Sequence, residues 1–379
     1  MTSSATARLI IFLFLFTLPA LAAEVKIIPL PDGALVPDVL VDKRHIVHLV
    51  YGLGDNAYYV RSTDNGATFS TPLKVNSEGK VQLTMGERGP KLALGANDSI
   101  HVVYVDRWSP GAKCYVRHAR SLNGKTFEPA QQISPMPGVD GATLAADGLG
   151  NVLVFWHVFL PPQNEIPQAH YIYLSASTND GRTFAEAQRL KLTDSPELAC
   201  SMCMMRARIT DGHVYLAFRA ADNNIRDFYV LKSPTTENNF TALRVNDDNW
   251  KLETCPMCGP ELTIAPDGTA IAAFMSRHKV YFATADRPHT KFRLHIPTPK
   301  NESDEIYPAA FANADSKVLF LWQVGPMSTT ARATVKYALY TQDGKPLGQE
   351  TTLGTTTSAT KPTAFLGSDD NFYILTTAR

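Results

Sequence analysis

The sequence has no charge imbalance, little cysteine and, after its first residues, no long hydrophobic run. Basic and acidic side chains number 36 each, so no basic stripe favours nucleic acid and no polybasic segment favours a membrane surface. No apolar stretch after the N-terminus is long enough to span a bilayer, and no amphipathic helical pattern is found. We therefore expect a protein with no nucleic-acid partner, no membrane span and little helix.

The N-terminal residues are the exception. Arg8 precedes an apolar run at residues 9–18, and residues 19–23 end that run with small side chains. A basic residue, a short apolar segment and a small-x-small site are typical of a cleaved secretory signal peptide. We assign residues 1–22 to this peptide and expect a secreted or periplasmic protein. Residues 24–379 are expected to form a single domain and a monomer.

Seven stretches of the chain repeat one pattern, in which a short Gly, Asp or Asn turn joins an apolar strand to a strongly apolar one. They begin at Val36, Gly89, Gly141, Met205, Pro260, Tyr307 and Lys361. The interval of roughly 45 to 65 residues is typical of propellers and solenoids. We predict an all-β propeller of four-stranded antiparallel blades, with seven blades favoured and six as the alternative. The last repeat stops after two strands, so residues 24–29 are expected to add a strand that closes the ring.

A second repeated pattern marks the turns after the third strands. Residues 62–69 read S-x-D-x-G-x-T-F, residues 177–184 are read as the same motif with one inserted residue, and residues 121–127 form a degenerate third copy. The turn residues are Asp64, Gly66 and Phe69 in the first copy and Asp180, Gly181 and Phe184 in the second. Asp or Asn hydrogen-bonds to its own turn, and Gly adopts positive φ.

These turns resemble the Asp-box (BNR) repeat of the sialidase superfamily, in its bacterial form. The resemblance implies a propeller in which the Asp-box residues are structural and lie on the face opposite the active site. We call the other face, formed by the loops between blades and the loops joining second to third strands, the working face. Its loops carry Glu87, Arg88, Asp106 and Trp108, among other polar residues.

The resemblance also implies candidate residues for sialidase-like catalysis. Sialidases hold the substrate carboxylate with three arginines, and use a tyrosine nucleophile paired with a glutamate and an aspartate as acid/base. The matching candidates are Tyr307, Glu305 and Asp140 for catalysis, and Arg88, Arg219, Arg226, Arg277 and His157 for substrate binding. The N-terminal Phe/Tyr-Arg-Ile-Pro motif of the family is missing, because residues 35–38 read Leu-Val-Pro-Asp. Core packing of Tyr307 and salt bridges between blades are the structural alternatives.

Two C-x-M-C motifs precede the first strands of the fourth and fifth repeats. They contain Cys200 and Cys203, and Cys255 and Cys258. Their equivalent positions place them side by side at the inner mouth of the working face. Disulfides suit an oxidising compartment. A metal site is the second alternative, since four thiolates suit Zn²⁺ and thiolates with nearby methionines suit Cu(I). A reactive C-x-x-C pair is the third. Haem attachment is disfavoured, because a C-x-x-C-H motif needs a histidine at the positions that Met204 and Gly259 occupy.

Three functions remain open from the sequence. The first is an exported, sialidase-like propeller that binds, and as an exo-glycosidase hydrolyses, an acidic carbohydrate or glycoconjugate. The second is a non-catalytic binding or scaffold propeller held by disulfides. The third is a copper- or zinc-binding propeller that uses the two C-x-M-C motifs.

Overall fold

A computed structural model describes residues 24–84, 87–109, 113–158, 169–200, 202–295, 304–326, 331–357 and 361–377. The assigned signal peptide lies outside these ranges. The described chain is a seven-bladed β-propeller of small antiparallel sheets, which confirms the predicted fold class and the favoured blade number. In this part of the chain, no helix is both long enough and apolar enough to cross a membrane.

The first two strands of each blade are the most regular. The innermost strands of blades one to seven are β2 (Leu35–Val41), β6 (Lys91–Leu94), β10 (Val139–Ala146), β16 (Arg206–Thr210), β20 (Glu261–Ile264), β24 (Glu305–Ala312) and β28 (Thr363–Leu366). The second strands are β3 (Val47–Leu53), β7 (Ile100–Val105), β11 (Val152–Val158), β17 (His213–Arg219), β21 (Ala270–Ser276), β25 (Lys317–Val324) and β29 (Phe372–Thr376). Neighbouring innermost strands contact each other all the way round, so they surround a central axis.

The outer strands are more variable in length. The third strands of blades one to six are β4 (Asn56–Ser62), β8 (Val116–Ser121), β12 (Ala169–Ser177), β18 (Phe228–Pro234), β22 (Lys279–Ala285) and β26 (Arg332–Thr341). The fourth strands are β5 (Leu73–Lys74), β9 (Gln131–Gln132), β13 (Gln188–Arg189), β19 (Phe240–Arg244), β23 (Arg293–His295) and β27 (Thr351–Thr357). Two short strands between blades three and four, β14 (Leu192–Thr193) and β15 (Ala199–Cys200), pair with β19 and β12.

The apolar core of the described chain is divided among the gaps between blades. Seven clusters of buried side chains each join two adjacent blades, for example Phe228 of blade four with Phe274 of blade five. The second strands are buried on both faces because a blade packs on either side of them, which explains their nearly continuous apolar sequence. An eighth, smaller cluster contains Cys200, Cys203 and Cys255.

The N-terminal strand closes the ring as expected. β1 (Val25–Pro29) pairs with β29 from Val25 opposite Phe372 to Pro29 opposite Thr376. The pairing is parallel, whereas successive strands inside a blade are antiparallel. Ile28 is buried in the cluster that joins blades seven and one. Blade seven therefore takes two strands from the C-terminus and one from the N-terminus.

The turns after the third strands have the hydrogen bonds expected from their sequences, with one correction. Asp64 accepts bonds from the Thr68 amide (2.9 Å) and hydroxyl (2.7 Å). In the second turn this role belongs to Asn179, which accepts from the Thr183 amide at 3.0 Å. The assignment of Asp180 to this role was wrong, because the two motifs are equal in length and Asn179 stands where the first has Asp64.

Asp180 instead joins two blades. Its carboxylate accepts from the Ala96 amide (3.0 Å) and the Ser99 hydroxyl (2.7 Å) in the turn between β6 and β7 of blade two. In the first turn, the equivalent Asn65 accepts a 3.1 Å bond from the Ser368 amide of blade seven. This turn position therefore connects a blade to the preceding one.

Charged side chains line the axis between the innermost strands. Arg206 bonds to both Asp38 and Glu261, and Lys361 lies 3.6 Å from Glu261. Burial opposes ionisation of Asp38, but the neighbouring Arg206 lowers its pKa to about 2. Burial also lowers the pKa of Lys91 to about 8. Buried opposite charges therefore link blades one, four, five and seven.

Candidate functional site

A cavity of about 430 Å³ opens on the working face beside blades two and three. Its described lining residues are Gln82, Thr84, Arg88, Val105, Asp106, Trp108, Cys114, Gly138, Val139, Asp140 and Met202. They come from the loops between blades, from the loop between β7 and β8, and from the adjoining ends of β7 and β10. Trp108 is 67 % exposed, and its backbone amide donates to the Gln82 side chain at 2.8 Å.

Two of the predicted site residues meet at this cavity. The Nε of Arg88 donates to both oxygens of Asp140, at 2.9 and 2.8 Å, and its Nη2 also bonds to Asp140. His157 lies opposite Asp140 in the ladder of β10 and β11 and is buried. The structure thus brings Arg88, Asp140 and His157 together, with the arginine already engaged by a carboxylate.

The predicted nucleophile and its partner lie in the protein interior. Tyr307 is 1 % exposed and its backbone amide donates to the Cys258 sulfur at 3.3 Å. Burial raises the pKa of the Tyr307 hydroxyl well above its ordinary value. Glu305 is also buried and accepts a 3.0 Å bond from the Val280 amide. The position of Tyr307 therefore agrees with the packing alternative considered for it.

The other predicted arginines do not share a partner with Arg88. Arg219 is 1 % exposed and donates to the carbonyls of Arg226, Cys258 and Met275 at 2.7–2.9 Å. Its guanidinium also lies 4.0 Å from the Phe228 ring centre. Arg277 is exposed in the β21–β22 turn and donates to the Asp248 carbonyl. In the described contacts, Arg88, Arg219 and Arg277 therefore do not converge on one point, as three carboxylate-binding arginines would.

The segment around Arg226 is a structural clamp. Arg226 is buried and donates from Nε to the Leu252 carbonyl at 3.0 Å. The next residue, Asp227, accepts a 2.6 Å bond from the Arg244 guanidinium rather than from Arg226. The Asp227 carboxylate also accepts the Asn249 amide at 3.1 Å. Both side chains therefore hold the loop that leads to the second C-x-M-C motif.

The two C-x-M-C motifs lie against each other at the axis, as their equivalent positions predict. The sulfur of Cys200 lies 3.1 Å from that of Cys255 and 3.5 Å from that of Cys203, and the third side of the triangle is 3.6 Å. Cys258 faces the Tyr307 amide instead. All five cysteines are buried thiols. A four-thiol site, one of the expected arrangements, is thus reduced to three clustered thiols.

Glu87 from the loop before blade two holds the two motifs together. Its carboxylate accepts bonds from the Gly259 amide (2.7 and 2.8 Å) and from the Met204 amide (3.3 Å). Gly259 is required at this contact because a Cβ there would lie 2.1 Å from the Met204 carbonyl oxygen. Burial raises the pKa of Glu87.

The three clustered thiols differ in pKa. Hydrogen bonds from Cys200 and Cys203 lower the pKa of Cys255 to about 3, whereas burial raises the pKa of Cys203 to about 12. Hydrogen bonding with the sulfurs of Cys203 and Cys255 raises the pKa of Cys200 well above its ordinary value. The cluster can therefore hold one buried thiolate that accepts bonds from two thiols, which is both a nucleophile and a soft metal ligand.

Sequence reasoning missed three features of this region. The linkage of both motifs through Glu87 needs the fold, since Glu87 is 117 and 172 residues away from its two partners. The pairing of Arg206 with Glu261 had a signal, because each stands three residues after the second cysteine of its motif. The exposure of Trp108 beside a cavity follows from the long β7–β8 loop only once the blades are assembled.

No protein-family model matches the chain, and no curated protein matches it. Among solved structures it is similar to a Penicillium chrysogenum alpha-L-arabinanase complexed with arabinobiose, with TM-score 0.55, 12 % identity and coverage of 83 % of this chain and 97 % of that one. It is also similar to the GH93 alpha-L-arabinofuranosidase of Fusarium graminearum complexed with arabinobiose, with TM-score 0.54, 11 % identity and coverage of 84 % and 98 %. A Hadza microbial sialidase, Hz136, matches with TM-score 0.48 and 14 % identity over 83 % of this chain and 67 % of that one. At these identities, what the chain shares with the two arabinose-related enzymes is the propeller fold.

Proposed function

We propose that this protein is an exported propeller that binds a carbohydrate in the working-face cavity. The observation that carries the proposal is the exposed indole of Trp108 at a cavity of about 430 Å³ whose lining combines apolar walls with Asp106, Asp140 and Gln82. Ligand pockets are mostly apolar with a few placed polar groups. Such a lining suits a sugar. The C–H face of a sugar ring can stack on an aromatic side chain, and its hydroxyl groups can donate hydrogen bonds to carboxylates. The export part of the proposal rests on the N-terminal residues alone.

The charges at the cavity favour a neutral sugar. Arg88 is the cationic residue among the described lining residues, and Asp140 already occupies its guanidinium. Asp106 is likewise paired with Arg117 at 3.1 Å. An acidic sugar would have to displace a carboxylate from Arg88, whereas a neutral sugar can donate hydroxyl protons to oxygens that are already ionised.

Binding without hydrolysis by Tyr307 is the form of the function that the geometry supports. A tyrosine nucleophile has to reach the anomeric carbon, and Tyr307 is buried beneath the working face in contact with Cys258. Its raised pKa also opposes formation of the phenolate. The two carboxylates at the cavity, Asp106 and Asp140, are the pair that a two-carboxylate mechanism would use.

Titration calorimetry with arabinobiose, longer arabino-oligosaccharides and sialyllactose tests the proposal. We expect a neutral oligosaccharide to bind, and Trp108→Ala to weaken its binding at least tenfold. Leu149→Ala is the matched control, because Leu149 is 86 % exposed in the turn between β10 and β11 on the opposite face. Absence of binding to every sugar, or equal binding by Trp108→Ala, would refute the assignment.

Chromophore release from aryl arabinofuranosides and aryl sialosides tests hydrolysis separately. We expect no release from the sialoside by the purified protein. Turnover that is abolished in Tyr307→Phe, in a variant with an unchanged melting temperature, would restore the sialidase-like mechanism.

A further inference from the structure

We propose that Cys200, Cys203 and Cys255 form a binding site for one monovalent copper ion. Among the described residues, these three sulfurs form a group of possible metal ligands that lie close enough together to share one ion. They belong to two blades and lie at the axis, beside the working-face cavity rather than in it. This site is independent of the carbohydrate proposal.

The spacing of the sulfurs suits a shared ion. Their triangle has sides of 3.1, 3.5 and 3.6 Å, so its centre lies roughly 2 Å from each corner, slightly less than a metal–thiolate bond of about 2.3 Å. A small outward movement of the side chains, or an ion slightly above the plane, completes three bonds. A disulfide requires two sulfurs at about 2.05 Å and leaves the third outside the bond, whereas the three distances here are nearly equal.

The donor set selects copper over zinc. Structural zinc sites have four Cys, His or carboxylate ligands in a tetrahedron. Cys258 is the fourth cysteine of the two motifs. Its sulfur accepts a hydrogen bond from the Tyr307 amide, and it lies outside the cluster of three thiols. Three sulfurs, with the thioethers of Met202 and Met257 packed against the cluster, form the soft environment that Cu(I) prefers.

The surroundings hold the ligands in place and compensate their charge. The Met257 amide donates to the Cys255 sulfur at 3.4 Å, and Glu87 fixes the backbones that follow Cys203 and Cys258. Arg219, which binds the Cys258 carbonyl at 2.9 Å, places a cation beside the thiols. Outer contacts of this kind orient metal ligands.

A route from solvent reaches the site. Met202 packs against the thiol cluster and also lines the working-face cavity. A copper ion that enters the cavity meets this partly exposed thioether before it reaches the buried sulfurs. Each thiol that becomes a copper ligand releases one proton to solvent. Copper is bound as Cu(I), so no electron is transferred and no oxidant is needed.

Anaerobic titration of the reduced chain lacking residues 1–22 with Cu(I), in competition with a chromogenic Cu(I) chelator, tests the proposal. We expect one tightly bound Cu(I) per chain. Cys200→Ser and Cys255→Ser should each lower the affinity at least 100-fold. Cys114→Ser and Cys258→Ser are the matched controls, since both remove buried thiols outside the triangle, and both should retain copper.

The folding of every variant is checked by circular dichroism. Glu87→Gln, which keeps all the thiols, should lower copper affinity about tenfold, within the range known for outer contacts of metal sites. Failure to bind Cu(I), equal loss in Cys114→Ser, or stoichiometric Zn²⁺ in place of copper would overturn the assignment. So would a Cys200–Cys255 disulfide in protein purified without reductant, if reduction of that bond still gave no copper binding.

Discussion

His118 shows at the scale of one residue how the fold sets the charge of a side chain. It is buried in blade two, with one ring nitrogen 3.0 Å from His101 and its ring 4.9 Å from that of Phe184. Burial, and then the neighbouring His101, keep the pKa of His118 well below its ordinary value. The ring therefore stays neutral in the folded chain under conditions in which it would be protonated in the unfolded chain.

We predict that acid destabilises the protein through this residue. Below about pH 6.5 the unfolded chain binds a proton at His118 that the folded chain does not bind, so stability is lost as the pH falls. The loss attributable to one such group is at most about 1.4 kcal/mol per pH unit. The free energy of unfolding, measured with urea at pH 7.5, 6.5 and 5.5, should fall less steeply with decreasing pH in His118→Gln than in the unmodified chain.

His45→Asn is the control for this experiment. His45 is exposed in the turn between β2 and β3 at φ 62°, a backbone conformation that asparagine tolerates. Its replacement should leave the pH dependence unchanged. An identical slope in all three proteins would contradict the role of His118.

Single residues were also the least predictable part of the site. Tyr307, Arg219 and Arg226 have the chemistry of a sialidase centre, yet each is at most 1 % exposed. The sequence shows which loop carries a side chain but not whether the neighbouring blade covers it. Arg219 is covered because carbonyls from blades four and five converge on its guanidinium, and no local pattern reports that convergence. Local motifs were more informative, as the contact between the two C-x-M-C motifs shows.

At the scale of elements, the turns after the third strands connect blades as well as strands. The residue before the turn glycine has positive φ, 54° at Asn65 and 59° at Asp180. Its side chain therefore points toward the preceding blade, where it accepts the Ser368 or Ala96 amide. The motif predicted the turn, but it did not predict this second role, because the partner lies 84 residues away in the case of Asp180.

We predict that Asp180→Gly destabilises the protein by about 1–3 kcal/mol, because the Ala96 amide and the Ser99 hydroxyl lose their acceptor. Glycine retains the left-handed backbone, so the effect reports the lost hydrogen bonds. Asn65→Gly should cost less, since its bonds to Ser368 are exposed. The exposed Glu186 provides a neutral control as Glu186→Ala. Equal unfolding free energies for Asp180→Gly and Glu186→Ala would contradict the connection between blades.

At the scale of the whole molecule, the ring was the most predictable property. The repeats favoured seven blades over six, and they predicted a closing N-terminal strand, because a propeller with an open blade would expose strand edges. The direction of that strand was not predictable. β1 runs parallel to β29, a direction set by where the chain enters blade one after β1 rather than by the sequence of β1 itself.

We predict that removal of residues 24–29 opens the ring. The truncated chain loses the five residue pairs between Val25–Pro29 and β29. It also loses the buried side chain of Ile28 from the cluster that joins blades seven and one. The exposed edge of β29 is then a template for pairing with a second copy. Compared with a chain that begins at residue 24, the truncated chain should have a melting temperature lower by several degrees and should self-associate in size-exclusion chromatography. A synthetic peptide of residues 24–30 should partly restore both properties, since an extended peptide can add to an open sheet edge. If the truncated chain stays monomeric with an unchanged melting temperature, closure by β1 contributes nothing to the stability of the propeller.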